Sequence, residues 1–562
     1  MEQISQEVIK AYALENAIKH EGKANQGAVL AGLFAEGLEK SEIKNYIPKI
    51  IKILEKVNAM PLPRQIEEFK GYESKISRRE IRTGLPELEN AKKGEVVMRL
   101  APFPSGPLHI GNARTIILND EYVKMYDGKL ILVIDDTIGS VKKPIEPEAY
   151  KLIEEGIKWL GVNFDKKIIR KSDRIEKYYN YAEELIKKSY MYVCDCEQEK
   201  MRELKAKGIE CSCRQRDEET NMEQWRKLFT APEGSMCVRL KTGMQNPDPA
   251  FRDRIMFRIS DRPHALLGTK YRVYPLLDFS WAIDDHLLGV THILRGTDLV
   301  METKVEKFIW DIFGWKHSEV VYNGFFEVEG VKISKSKGAQ EVKSGHYSGW
   351  NDPRTWSLQS LQDRGIKSET VRKFIIDMGI KKTNVKIPVE VLYALNRKNL
   401  ENVPRYFFIQ NPEKITISAS PNKTVEIPFN TSDPKNSRKF NINQEFYIPK
   451  EDYDLMQDTE YRLMHIFNFK TDKLFPLKPR TFSYISDEPT SEKKLKYMQW
   501  LPADAKNSKV EILMSNGEKI SGIAEEEIEN VKIGEVIFFE RVGFIRCHKK
   551  DKGNLEFWFA HS

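Results

Sequence analysis

His109 stands within Arg99-Leu-Ala-Pro-Phe-Pro-Ser-Gly-Pro-Leu-His-Ile-Gly-Asn112, a segment carrying three prolines and two glycines. The apolar run Val96–Ala101 precedes it and a helical pattern, Ala113–Tyr126, follows. An imidazole just ahead of a helix start sits among unsatisfied backbone N–H groups at the positive end of the helix dipole, a setting that suits phosphate. Gly111 lets a flat base or ribose approach the backbone. An isolated His-x-Gly is usually an ordinary loop histidine, but the strand–loop–helix setting gives this one more weight. More than two hundred residues on, Lys332-Ile-Ser-Lys-Ser-Lys337 gathers lysines and hydroxyls in one short stretch. Alone it would read as solvated surface. With the first segment it reads as the second half of a clamp on a nucleoside triphosphate. Lys332, Lys335 and Lys337 can close over a leaving pyrophosphate while Ser334 and Ser336 bond phosphate oxygens. Such transfer depends on placement and charge stabilisation more than on covalent help.

Two arginines bear on the co-substrate. Arg99 and Arg295 each fall at the end of a strand-like run facing the nucleotide loop, and each can form a bidentate pair with a carboxylate. Four of the six cysteines cluster as Cys194-Asp-Cys196 and Cys211-Ser-Cys213, two C-x-C pairs with fourteen residues between them. Four thiolates in two close pairs suit tetrahedral zinc and would staple a small insertion that has little core of its own. Unligated thiols of a reducing compartment would also fit this spacing. Cys237 and Cys547 read as plain buried thiols.

The elements that must hold these residues alternate. After Val96–Ala101 and Ala113–Tyr126 come a strand, Leu130–Ile134, and a helix, Pro147–Leu160, with Pro at its first turn and Gly161 just past its end,. Strand, helix, strand, helix implies parallel βαβ units, whose ligands bind beyond the carboxyl ends of the strands. Residues 190–255 interrupt the pattern. Strand-like runs resume at Val273–Phe279 and Leu287–Leu294, the helix Leu299–Phe313 follows, and Ser368–Met378 and Val389–Asn396 read as helices. Ahead of all this, Ile47, Ile50, Ile51, Leu54 and Val57 mark one face of a helix. From about 405 short apolar runs broken by Pro, Asn, Asp and Gly predict small β-barrels or sandwiches, with a hairpin turn at Ser515-Asn-Gly517.

The fold class expected is multidomain α/β. Its parts are an N-terminal helical extension over 1–90, a Rossmann-like parallel-sheet catalytic domain in two halves, 91–190 and 261–345, an insertion over 191–260, a helical connector over 346–405 and a C-terminal β-barrel region over 406–562. A length of 562 residues agrees with several domains,. With 40% apolar and 31% charged residues the chain has the composition of a soluble folded protein,. It lacks an 18-residue apolar span, and its acidic, polar N-terminus is no secretory signal, so a cytoplasmic location is expected. A net charge of +7 permits nucleic-acid binding without demonstrating it,.

His109-Ile-Gly-Asn112 and Lys332-Ile-Ser-Lys-Ser336 match the two motifs written HIGH and KMSKS, and with them the chain resembles the class I aminoacyl-tRNA synthetases. The Arg99–His109 segment, Asp135-Asp-Thr137, Asp284-Asp-His-Leu-Leu-Gly-Val-Thr-His-Ile-Leu-Arg-Gly296 and Trp350-Asn-Asp-Pro-Arg354 look like the glutamyl and glutaminyl branch. The helical extension and β-rich C-terminal half look like its archaeal glutamyl type. The resemblance spans essentially the whole chain. It implies a ligase that activates glutamate with ATP and Mg²⁺ and charges tRNA(Glu), with tRNA(Gln) a further candidate.

Carried over position by position, it implies catalysis by His109, Lys332 and Lys335. ATP contacts fall at Pro102, His109, Gly111, Asn112, Lys332, Ser334, Lys335 and Ser336. Glutamate contacts fall at Arg99, Ala101, Asp135 and Arg295, with Arg295 on the side-chain carboxylate and Asp135 on the α-ammonium. The insertion would handle the tRNA acceptor end, with zinc on Cys194, Cys196, Cys211 and Cys213, and the β region would read the anticodon. Lys200–Arg216 and Lys435–Lys439 are candidates to track phosphates, and Arg541, Phe544 and Arg546 to meet anticodon bases.

Four positions depart from the family pattern. Asn112 replaces the last histidine of the first motif. Phe103 stands where a small polar residue is common, Leu277 where many relatives place a pocket tyrosine, and Val133 where an arginine often precedes the acidic pair. A glutaminyl-tRNA synthetase is the nearest alternative, opposed by Arg295, because a buried arginine facing a neutral amide lacks its partner charge. A small-substrate nucleotidyltransferase would share the nucleotide loops but need neither the helical extension nor the β-rich half. A tRNA-binding protein built on a decayed synthetase would not need His109 and Lys335 intact.

Overall fold

A computed structural model describes residues 4–39, 42–76, 84–140, 143–331, 335–430, 432–471, 481–489, 495–551 and 553–562. The chain forms two compact units, residues 1–83 and 84–562. The first consists of α1 (Gln6–Lys19), α2 (Gln26–Ala35), α3 (Ile43–Asn58) and α4 (Leu62–Lys70). Ser5 and Asn25 cap α1 and α2 by accepting from the N–H groups of Val8 and Ala28, which meets donors that a helix start leaves open. The apolar face of α3 is narrower than its spacing suggests: Ile50, Leu54 and Val57 are buried, but Ile51 is 43% exposed. Close packing of α2 on α1 turns on Gly32, where a Cβ would lie 2.3 Å from the Tyr12 ring.

In the second unit β1 (Val97–Leu100), α5 (Ile110–Met125), β2 (Lys129–Ile134), α6 (Pro147–Trp159) and β3 (Ile169–Arg170) alternate as expected. The three strands pair in parallel, β1 with β2 and β2 with β3. α7 (Ile175–Lys187) leads into the insertion, which comprises β4 (Met191–Cys194), α8 (Gln198–Lys207), α9 (Glu218–Leu228), β5 (Cys237–Leu240), β6 (Ile255–Ile259) and β7 (Val273–Pro275). Its four strands form one antiparallel sheet in sequence order, so the inserted sheet returns through β7, past residue 260. The run Val273–Phe279 is therefore split. The strand stops at Pro275, which has no N–H to extend a ladder, and α10 (Leu277–Leu287) begins two residues later.

The chain then returns to the parallel sheet through β8 (His292–Gly296), α11 (Val300–Phe313) and β9 (Glu319–Asn323), with β8 and β9 parallel. Thr291 N–H donates to the Val97 carbonyl at 2.9 Å and brings the start of β8 beside β1. The strand order reverses between β1 and β8, and at such a switch point the carboxyl ends of neighbouring strands open a crevice. β10 (Phe326–Glu329), α12 (Lys335–Lys343), α13 (Leu358–Arg364), α14 (Ser368–Met378), β11 (Val385–Pro388) and α15 (Val389–Asn399) complete this part.

From Arg405 onward the chain is almost entirely β. One seven-stranded sheet uses strands within 405–410 and 507–561, and a second uses strands within 412–502, so the second is inserted into the first. Each has its own apolar core, one around Ile537 and Phe557 and the other around Phe446 and Trp500. Asn507–Leu513 and Lys519–Glu525 form the hairpin expected around Ser515-Asn-Gly517, with Gly517 at φ +89°. Of the three residues expected at the anticodon, one is taken out of reach and two are engaged within the protein. Phe544 is buried in the core. Arg541 binds Asp452 and the Tyr497 carbonyl. Arg546 donates to the Gly534 carbonyl and to Asp363. Buried Arg364 on α13 donates to the Phe559 and Ala560 carbonyls at 3.2 and 2.7 Å and so fastens the last strand to the catalytic part. Among the described residues no helix is long and apolar enough to cross a membrane.

Candidate active site

The loop after β1 and the start of α5 build one wall of a cavity of about 910 Å³. His109 is the N-cap of α5: its Nδ1 accepts from Gly111 N–H at 3.1 Å, and Asn112 Oδ1 accepts from His109 N–H at 3.2 Å. This reciprocal box explains Asn112, whose side chain closes the helix start. It also sets the imidazole tautomer. With Nδ1 accepting, the ring proton sits on Nε2, which makes that end of the ring a donor. Gly111 leaves room for the ring in this position, because a Cβ there would lie 2.9 Å from His109 Cε1 and the ring would have to shift.

Arg99, Ala101, Pro102, His109, Gly111, Asn112 and Arg295 all line this cavity. Arg99, at the end of β1, and Arg295, at the end of β8, are buried. Arg99 Nη2 donates to Asp285 at 2.8 Å, and its Nε bonds the other oxygen of the same carboxylate. Arg295 grips Glu306 of α11 through both terminal nitrogens, at 2.9 and 3.0 Å, and also donates to Thr303 Oγ1. The neighbouring acids Asp284 and Asp285 serve different cations, because consecutive helical residues point about 100° apart. Asp284 takes Arg174 at 2.7 Å and the Tyr178 hydroxyl at 2.6 Å. Asp135 does not line the cavity. Its carboxylate lies 3.1 Å from Nζ of the fully buried Lys171.

Burial pushes the Glu306 carboxyl up to about 7, with the nearby Asp285 charge adding to the rise and Arg295 opposing it. Burial outweighs the partner, as it often does for an ion pair taken out of water. The sign of the consequence is fixed. Below pH 7 Glu306 is neutral and Arg295 keeps its net charge for an anionic ligand, whereas above pH 7 the ionised carboxylate cancels it. KM for a carboxylate substrate bound at Arg295 is expected to rise as pH passes upward through 7. Glu306→Gln, which fixes the neutral form, should flatten that profile in steady-state assays between pH 6 and 8.

The second loop lies partly outside the described residues: Lys332 and Ser334 fall there, while Lys335 and Ser336 open α12. Trp350 ties this helix to the first loop. A Cβ on Gly106 would lie 3.1 Å from the Trp350 ring, and one on Gly338 of α12 would lie 3.4 Å from it. Gly106 has φ +140°, so glycine suits it on backbone grounds as well,. The Leu358 N–H donates to the Leu108 carbonyl at 2.8 Å. Trp350 thus braces the loop after β1 against α12.

Residues 95–402 match the family model for the catalytic domain of class I (E and Q) tRNA synthetases, and residues 403–478 match that family's anticodon-binding domain. The chain is 39% identical over 560 residues to the glutamate–tRNA ligase of Methanocaldococcus jannaschii, covering 99% of this chain and 100% of the relative. It is 39% identical to that of Pyrococcus abyssi, covering 98% of each. The chain belongs to the class I (E and Q) tRNA synthetases. Around the synthetase's cavity the four positions singled out by the sequence have definite neighbours. Val133 is aliphatic, and the cation beside Asp135 is Lys171, the residue just after β3. Pairing of Val133 with Ile169 and of Ile134 with Arg170 brings Lys171 to Asp135. Leu277 opens α10, and an aromatic ring, Trp281, appears one turn later on the same helix and lines the cavity. Phe103 lies beneath Lys143, whose Nζ is 5.5 Å from the ring centroid.

Lys171, Trp281, Asp285 and Glu306 are the site residues that spacing did not single out. The signals were the departures at Val133 and Leu277 and the two adjacent acids Asp284 and Asp285.

The synthetase's insertion brings Cys194, Cys196, Cys211 and Cys213 together, with their four Sγ atoms all within 4.8 Å of one another. Tetrahedral zinc with Zn–S of about 2.3 Å would set sulfurs about 3.8 Å apart, and Cys196 and Cys213 already stand at 3.5 Å. The thiols share hydrogen bonds, which push Cys211 down while Cys194 and Cys213 go up. Cys237 is half-buried and faces Cys194 across the ladder, closer to the cluster than a plain core thiol would be.

Proposed function

We propose that this synthetase is a glutamate–tRNA ligase. The observation that carries this is the pair of buried arginines at the strand switch point, in a chain alike over nearly its full length to relatives named glutamate–tRNA ligases. The glutamate α-carboxylate attacks the α-phosphorus of ATP in line and expels pyrophosphate. The adenylate then passes its acyl group to the terminal ribose of tRNA(Glu). Nε2–H of His109, at the positive end of α5, meets charge that builds on the phosphates. Lys332 and Lys335 neutralise the leaving pyrophosphate, with Ser334 and Ser336 as hydroxyl donors. Pro102, Gly111 and Asn112 shape the nucleotide side, and Mg²⁺ enters on the ATP phosphates, which supply ligands for it.

Arg99 and Ala101 border the amino-acid side, with Arg295 on the side-chain carboxylate. Asp135 is the candidate partner of the α-ammonium, which it would reach only by turning from Lys171 toward the cavity. The protein acts in the cytoplasm, with tRNA(Gln) a second candidate acceptor. One observation favours glutamine instead: Glu306 already neutralises Arg295, and a neutral pair suits an amide. ATP–pyrophosphate exchange with each amino acid, with and without tRNA, separates the two. Exchange with glutamate in the presence of tRNA is expected, and exchange with glutamine alone would overturn the assignment.

The four clustered cysteines hold a zinc ion that staples the insertion. Metal analysis of the purified chain is expected to return about one zinc per molecule. Replacing Cys211 and Cys213 with serine should release it and lower the melting temperature. Wild-type protein free of zinc would contradict the assignment.

A further inference from the structure

Trp281 is only 7% exposed, lines the cavity, and has an indole Nε1 that is buried and meets no acceptor among the described residues. A buried indole N–H normally finds a partner. The surroundings say what kind of partner is missing. Cζ of Arg99, Nζ of Lys171 and Cζ of Arg295 lie 4.9, 5.0 and 5.0 Å from the ring centroid. A ring has two faces, so at least two of these cations share one.

Three carboxylates offset their mutual repulsion: Asp285, one turn along α10 from Trp281, Glu306 on α11, and Asp135 after β2. All three cations have carboxylate partners, and the indole N–H has none. Cations over the ring draw electron density from it and strengthen the N–H as a donor. Each cation is balanced by its carboxylate, so the donor itself, beside two guanidiniums built for bidentate carboxylate contact, is what favours a carboxylate acceptor.

We propose that Trp281 determines amino-acid selection: its Nε1–H donates to a carboxylate of the bound amino acid while its ring fixes Arg99 and Arg295 at the spacing of a dicarboxylate. This rests on the glutamate reading above. Leu277, on the same face of α10 one turn earlier, is aliphatic, so Trp281 supplies the aromatic wall on this face.

Trp281→Phe keeps a ring and removes the donor. Trp281→His keeps a ring and a donor, and Trp281→Leu removes both. In pyrophosphate exchange with tRNA present, Trp281→Phe is expected to raise KM for glutamate about tenfold, the worth of a hydrogen bond to a charged acceptor. Its kcat and its KM for ATP should stay within about twofold of wild type. Trp281→His should recover part of the lost affinity. Trp281→Leu should lose more and also narrow the preference for glutamate over glutamine. A general packing role would move the KM for ATP and the melting temperature together with the KM for glutamate. A Trp281→Phe variant with wild-type KM for glutamate overturns the proposal, as does a Trp281→His variant no better than Trp281→Phe. Wild-type protein that exchanges nothing with glutamate overturns the underlying glutamate reading instead, so the two failures are distinguishable.

Discussion

Arg295→Ala is expected to lower kcat/KM for glutamate by about three orders of magnitude, the usual cost of removing one partner from a buried, hydrogen-bonded charge pair. The loss should fall on KM for glutamate and leave KM for ATP close to wild type, because Arg295 closes the cavity from β8 while His109 closes it from α5. The variant should still fold. Glu306 would lose its partner, but burial already holds its carboxyl near 7, so a stranded Glu306 takes up a proton rather than leaving a bare charge in the core,. Activity with glutamine should fall less than activity with glutamate, and the ratio of the two kcat/KM values should narrow. Pyrophosphate exchange with both amino acids, run alongside a thermal melt, measures all of this. An unchanged ratio would show that Arg295 does not read the side-chain carboxylate.

His109→Ala should lower kcat by about two to three orders of magnitude, the range seen when one preorganised donor to a developing charge is removed. KM for glutamate should change little. The substitution also deletes a helix cap, which typically costs about 1 kcal/mol. His109→Asn separates the two effects, because its side-chain oxygen can accept from Gly111 N–H although it lacks a donor at the Nε2 position. This variant is expected to melt like wild type yet remain as inactive as His109→Ala. Wild-type turnover in His109→Asn would show that the histidine only caps the helix.

How much of this was legible in the sequence differs from element to element. The βαβ order was, because short unbroken apolar runs alternate with longer helical patterns that Gly128, Pro147 and Gly161 punctuate. The boundary at Val273–Phe279 was not. A buried strand running into a buried helix shows no break in apolarity, and only Pro275 marks the change. Arg99 and Arg295 were legible as charges at strand ends, but their carboxylate partners were not. Asp285 lies 186 residues from Arg99 and is brought to it only by the closing of the sheet. Asn112 looked like a defect in a motif and proved to be half of a capping box. Phe544 shows the reverse error: it packs with Leu400 and Val536 in a small apolar cluster, and an alternating strand does not say which of its faces is covered. The cysteine cluster was readable from spacing because two C-x-C pairs on short connections have few other ways to lie.

Aminoacylation tests the central claim most directly. Purified chain, ATP, Mg²⁺ and labelled glutamate should esterify tRNA(Glu), labelled glutamine should give no product, and His109→Asn should abolish the glutamate signal. Labelled glutamine on tRNA with no labelled glutamate, or no charging of tRNA with either amino acid, would contradict the account.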